Sequence, residues 1–131
     1  MFRPGRLLSF CALAITCLMA PTNGRAEGAR VILVLDASGS MWGQIEGRTK
    51  IEIARETVGR LIGNWRAEDE LGLIAYGHRT KGDCGDIELL IEPGRLDADR
   101  FATVVNRLNP KGKTPMSEAV RQAAEALRST E

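Results

Sequence analysis

Asp36, Ser38 and Ser40 stand at alternate positions immediately after an unbroken apolar run, and Thr114 lies on a polar segment much later in the chain. One carboxylate and hydroxyls spaced two residues apart can converge on a hard cation, because such ions take oxygen ligands. So few formal charges leave room for water in the coordination shell, which suits Mg2+ better than a carboxylate-rich Ca2+ cage. Gly39 allows the backbone to turn tightly between the two serines. The same residues also fit an ordinary strand-to-helix turn, where Asp and Ser supply turn and cap hydrogen bonds. Thr114 has a similar double reading. In Lys113-Thr114-Pro115-Met116 it fits the N-cap of a helix with Pro115 in the first turn, yet its hydroxyl lies on a loop that can reach the same strand ends.

The motif is carried by Val31-Ile32-Leu33-Val34-Leu35, a branched apolar run of the kind found in strands buried on both faces of a parallel sheet. Open α/β sheets bind ligands outside the C-terminal ends of their strands, which is where Asp36 to Ser40 fall. From Ile51, the apolar residues Ile51, Ala54, Val58, Leu61, Ile62 and Trp65 recur at helical spacing, with Arg55, Glu56 and Arg60 on the other side. Leu71 to Tyr76 and Ile87 to Glu92 read as a second and third strand. The segment between them, Gly77 to Asp86, is glycine-rich and has no helical pattern, so it joins antiparallel neighbours and makes the third strand an antiparallel edge. Two helices follow. One has a cap at Asp97 and turns Phe101, Val104, Val105 and Leu108 inward; the other turns Met116, Ala119, Val120, Ala123 and Leu127 inward.

The expected fold class is therefore α/β, a doubly wound, mostly parallel sheet with an antiparallel edge strand, cut off after the third helix. The first strand is the most apolar and is expected to sit centrally, with neighbours on both sides. Three strands leave one of its edges open, an aggregation hazard, so the chain is expected to be the front part of a longer one.

With 131 residues there is room for one domain. Residues 1–26 read as a secretory signal: Arg3 and Arg6 precede an uncharged apolar stretch from Leu7 to Ala20, Pro21 to Gly24 break any helix, and Gly24-Arg25-Ala26 offers small residues for cleavage after Ala26. The alternatives are a retained membrane anchor, for which the apolar run is short, and a lipoprotein anchor at Cys17, where Thr16 replaces the small residue wanted. Of 18 basic and 17 acidic residues the leader holds Arg3, Arg6 and Arg25, leaving 15 against 17 and no basic surface that implies nucleic acid. Cys11 and Cys17 also lie in the leader, so Cys84 stands alone after it and an internal disulfide framework is excluded. In an oxidising compartment Cys84 is either buried or bonded to something outside this sequence.

Together these segments resemble the von Willebrand factor type A (VWA) family with its metal-ion-dependent adhesion site. In that family an Asp-x-Ser-x-Ser motif follows the first strand, and a threonine from a later loop completes part of the coordination. Asp36, Ser38, Ser40 and Thr114 stand in those places. The order of elements agrees as well, and the resemblance extends from Ala29 to Glu131, so that residues 27–131 would form the N-terminal part of such a domain. It implies that the two serines touch the metal directly, that Asp36 acts mainly through water, and that Thr114 joins when a ligand is bound. Mg2+ is the implied ion, with Mn2+ or Ca2+ as substitutes, and a protein partner would supply a carboxylate as the final ligand. Uncharged hydroxyls leave the cation electron-poor, which strengthens that last bond. The family's remaining aspartate follows the next strand, and the resemblance places it beyond Glu131.

Other motifs fit less well. Gly112-Lys113-Thr114 looks like the end of a phosphate-binding loop, but the glycine that loop requires is Arg107 and a helix precedes it instead of a strand. Ser38 as a hydrolase nucleophile fails because the flanking glycines of its elbow would fall at Asp36 and Ser40. The only histidine, His78, is expected to be solvated in its loop rather than to act as a base. Trp42 is either an exposed anchor beside the motif or packed beneath it. The loop residues Lys81, Asp83 and Asp86 are expected to be solvated too. The expected function is a secreted or periplasmic, metal-dependent protein-binding module and not an enzyme, with membrane contact only through an uncleaved leader. The alternative is a metal-dependent hydrolase in which the ion activates water. No acid/base pair accompanies the candidate ligands, which favours the first.

Overall fold

A computed structural model describes residues 28–129. The leader expected over residues 1–26 lies outside the described residues. Strand β1 (Arg30–Asp36) runs parallel to β4 (Glu70–Tyr76), in register from Arg30 opposite Glu70 to Asp36 opposite Tyr76. β5 (Ile87–Ile91) pairs antiparallel with β4 on its other side, giving the order β1-β4-β5. The antiparallel edge strand is thus where the short glycine-rich loop puts it. Among the described residues β4 is the middle strand, and β1 has one neighbour and one open edge, as expected of three strands alone. From Leu71 to Tyr76 every residue of β4 is buried, as a strand covered on both faces must be.

Alternation along the strands divides the core in two. Leu35, Leu71, Leu73 and Ala75 face helices α1 (Lys50–Gly63) and α2 (Ala98–Arg107), meeting Val58, Ile62, Phe101 and Val105. Ile74, Tyr76 and Ile87 face α3 (Met116–Arg128), meeting Ala119 and Ala123. Helices on both faces make this the doubly wound arrangement, with a mixed sheet. α1 starts at a capping box: Thr49 Oγ1 accepts from Glu52 N–H while Glu52 Oε2 accepts from Thr49 N–H at 2.8 Å. Asp97 caps α2 as expected, accepting from the Arg100 N–H at 3.0 Å.

Two expectations fail in detail, and one element was not foreseen. Met116 and Val120, expected inward, are 55% and 53% exposed. They form a row on α3 directly beside the row of Ala119 and Ala123, and α3 lays the alanine row on the sheet, where small side chains permit close approach. Thr114 does not cap α3: the N-cap is Pro115, with no side-chain hydrogen bond, so the Thr114 hydroxyl is left out of the helix end. Finally, the motif does not run straight into α1. A short 3-10 turn (Gly39–Trp42) and a tight hairpin intervene, its strands β2 (Gln44–Ile45) and β3 (Arg48–Thr49) joined by Glu46 and Gly47, both at positive φ.

Candidate metal centre

Asp36 is the last residue of β1, and its carboxylate folds back to accept the Ser38 N–H at 2.7 Å. This short-range hydrogen bond is the Asx turn that aspartate readily forms, and it sends the chain sharply off the strand. Tyr76, opposite Asp36 in the register, is buried, and burial pushes its phenol up to about 12, with the Asp36 charge and a hydrogen bond to it adding to the effect. The phenol therefore stays protonated and holds the Asp36 carboxylate from the sheet side. Gly39 begins the 3-10 turn and has no positive φ, so the tight turn expected of it is made by the Asx geometry instead.

The two serine hydroxyls converge. Ser38 Oγ and Ser40 Oγ hydrogen-bond to each other at 3.1 Å, Ser38 being 1% exposed and Ser40 open to solvent. Among the described residues no group of three or more His, Cys, Asp or Glu side chains could hold a metal, so an ion here would rest on Asp36 and the hydroxyls.

Two further loops close over this turn, and backbone contacts hold them. Gly39 N–H donates to Gly112 O at 3.0 Å; Lys111 and Gly112 N–H groups donate to Gly77 O at 2.9 and 2.8 Å; Ala37 N–H donates to Tyr76 O at 2.9 Å. The approach is so close that a Cβ on Gly77 would lie 2.6 Å from Lys113 O and 2.8 Å from Ser38 Cα, and Gly77 also has φ +72°. A Cβ on Gly112 would lie 2.7 Å from Thr80 O. Only glycine fits either position. This pinch brings the segment carrying Thr114 to the end of β1, next to the serines. Gly77, Gly112 and Tyr76 are the supporting residues that sequence reading missed, since each acts on a segment distant in the chain.

The neighbouring residues divide differently from their expectations. Trp42 takes the exposed alternative: the residue is 51% exposed, with its indole N–H donating to Pro110 O at 2.9 Å. Asp86 is buried and staples the loop before β5, accepting from the Arg79 and Thr80 N–H groups at 2.7 and 2.9 Å and from Arg79 Nε at 2.7 Å. Burial opposes its charge, but the Arg79 guanidinium and the two amides outweigh that and hold the carboxyl below its ordinary value. His78 is not solvated: its side chain is 9% exposed, and Nε2 sits 3.0 Å from Glu88 on β5. Cys84 is exposed, so the buried alternative fails.

The family model described as von Willebrand factor type A domain matches residues 31–131. The inter-alpha-trypsin inhibitor heavy chain H2 of Mesocricetus auratus is 26% identical over 104 residues, covering 79% of this chain and 10% of that protein. The chain thus spans about a tenth of the length of the curated relatives it matches. A conserved hypothetical protein BatB from Bacteroides thetaiotaomicron shares the fold with a TM-score of 0.61 at 23% identity, covering 76% of this chain and 46% of that one. An uncharacterized membrane spanning protein from Vibrio fischeri gives a TM-score of 0.60 at 21% identity, covering 76% and 49%.

Proposed function

Since this chain belongs to the von Willebrand factor type A domain family, we propose that it is a protein-binding module acting outside the cytoplasm and dependent on a divalent cation. Asp36, Ser38, Ser40 and Thr114 would hold the ion, Mg2+ in preference to Mn2+ or Ca2+. The ion would supply one strong electrostatic bond to a carboxylate of the partner protein. The observation that carries this reading is the convergence of Ser38 and Ser40, hydrogen-bonded to each other at 3.1 Å, beside Asp36 at the end of β1. Asp36 is already engaged by Ser38 N–H and Tyr76, which suits a carboxylate that acts through water. Thr114, with no capping role, is free to approach from the third loop.

The leader expected from the sequence of residues 1–26 motivates the extracytoplasmic assignment, and no helix among the described residues is long and apolar enough to cross a membrane. A binding role without turnover fits the surroundings, because His78 is committed to Glu88 rather than to either serine. The test is binding of a peptide bearing a single accessible carboxylate in millimolar Mg2+. Chelation with EDTA, the Ser38→Ala change, and conversion of that carboxylate to an amide should each lower affinity by at least about tenfold. Binding that survives all three would sink the reading.

A further inference from the structure

The chain has only four lysines, Lys50, Lys81, Lys111 and Lys113, and all four lie at the same end of the sheet as the candidate metal centre. Lys111 and Lys113 are on the loop that pinches against Gly77, and Lys81 follows Thr80 on the loop after β4. Lys50 donates its N–H to Gly43 O, and a Cβ on Gly43 would lie 3.7 Å from its ammonium nitrogen. The four side chains are exposed, and none makes an ion pair among the described residues, where the pairs are formed by arginines and His78. Arg79, the arginine on the same loop as Lys81, is tied to Asp86. On the same segments the carboxylates outside ion pairs are Asp36, Glu46, Glu52 and Asp83; Asp36 belongs to the centre itself, Glu52 to the Thr49 cap, and Asp83 accepts from Gly85 N–H.

From this placement we infer that the partner is an acidic protein segment: one carboxylate meets the metal centre and further carboxylates meet the lysine rim. This rests on the metal-dependent reading above. An ammonium is a compact charge on a flexible stem, suited to steering and to adaptable contact with carboxylates rather than to one fixed fork. Lysines gathered at one end of the sheet raise the local concentration of an acidic ligand and speed its encounter. Trp42 and Ile45, 51% and 52% exposed beside the same loops, add an apolar contact that a polypeptide can use and an inorganic polyanion cannot.

The experiment titrates the full chain, in Mg2+, against two labelled peptides that share their apolar residues. One carries several Asp and Glu side chains; in the other all but one are replaced by Asn and Gln. The many-acid peptide should bind about tenfold more tightly, with the difference shrinking as salt is raised. Replacing the four lysines together by Gln should erase that advantage and leave the single-acid peptide unchanged, while replacing them by Arg should largely retain it. Equal affinities, an advantage that survives the Gln replacements, or no binding of either peptide would overturn the proposal. So would inorganic polyphosphate binding as tightly and as lysine-dependently as the many-acid peptide. EDTA and Ser38→Ala separate the two claims: if the lysine-dependent advantage persists when both leave the single-acid peptide's binding unchanged, the rim stands and the metal reading falls.

Discussion

Phe101 and Gly77 are both buried against β-strands, yet they hold the molecule together in different ways. Beneath the sheet, Phe101 packs with Val105, Val58 and Leu73 through apolar side chains, and its stabilisation scales with the area removed from water. At the C-terminal end of the strands, Gly77 has no side chain, and the loops around it are joined backbone to backbone. The difference teaches that loops at the strand ends can be held largely by backbone groups, with few side chains used up in joining them. Amide hydrogen bonds and glycine contacts join the loops there, the Asp36 carboxylate turns the chain after β1, and the Ser38 and Ser40 hydroxyls bond only to each other among the described residues.

The comparison can be broken from either side. Phe101→Ala should have the largest effect, costing about 3–5 kcal/mol of stability as a buried aromatic becomes a cavity, and urea unfolding would read it directly. Gly77→Ala should cost less, about 2–3 kcal/mol, through its positive φ and the clash with Lys113 O and Ser38 Cα. Its effect should differ in kind, weakening Mg2+ response beyond what the lost stability explains. If Gly77→Ala proves silent in both, the glycine pinch does not position the site.

Asp86→Asn sharpens the same contrast with a smaller expected cost, about 1–2 kcal/mol, because it removes a charge-assisted bond to Arg79 and leaves amide donors less well satisfied. It also carries a pH signature. Folding depresses the Asp86 titration, so its contribution is fully present above the ordinary carboxylate range near about pH 4 and disappears as pH falls through the lowered folded value. Thermal unfolding at a series of pH values should show the native chain losing its advantage over Asp86→Asn as the solution becomes acid. Parallel curves throughout that range would contradict the assignment.

Much of the fold was legible because it rests on local or periodic signals. The apolar runs at Val31 to Leu35 and Leu71 to Tyr76 marked strands, Asp97 marked a helix start, and the glycine-rich loop before Ile87 marked the antiparallel edge. The spacing of Asp36, Ser38 and Ser40 was equally local. What escaped depends on tertiary choice. The rows Met116/Val120 and Ala119/Ala123 are adjacent on one helix, and only the depth of packing on the sheet decides which is buried. Glu46-Gly47 turns a hairpin without the Asn-Gly or Asp-Gly signature that would have announced it. Nothing in the sequence joins His78 to Glu88, so its burial is a tertiary outcome too.

The central claim is that Asp36, Ser38, Ser40 and Thr114 form one divalent-cation site, and Mg2+ titration against thermal unfolding tests it most directly. A ligand that binds only the folded state stabilises it by about 1.4 kcal/mol at tenfold excess over its dissociation constant. The account predicts a Tm that rises by several degrees with millimolar Mg2+ and fails to rise in Ser38→Ala, EDTA reversing the shift. A Tm indifferent to Mg2+, or a rise of equal size in Ser38→Ala, would contradict it.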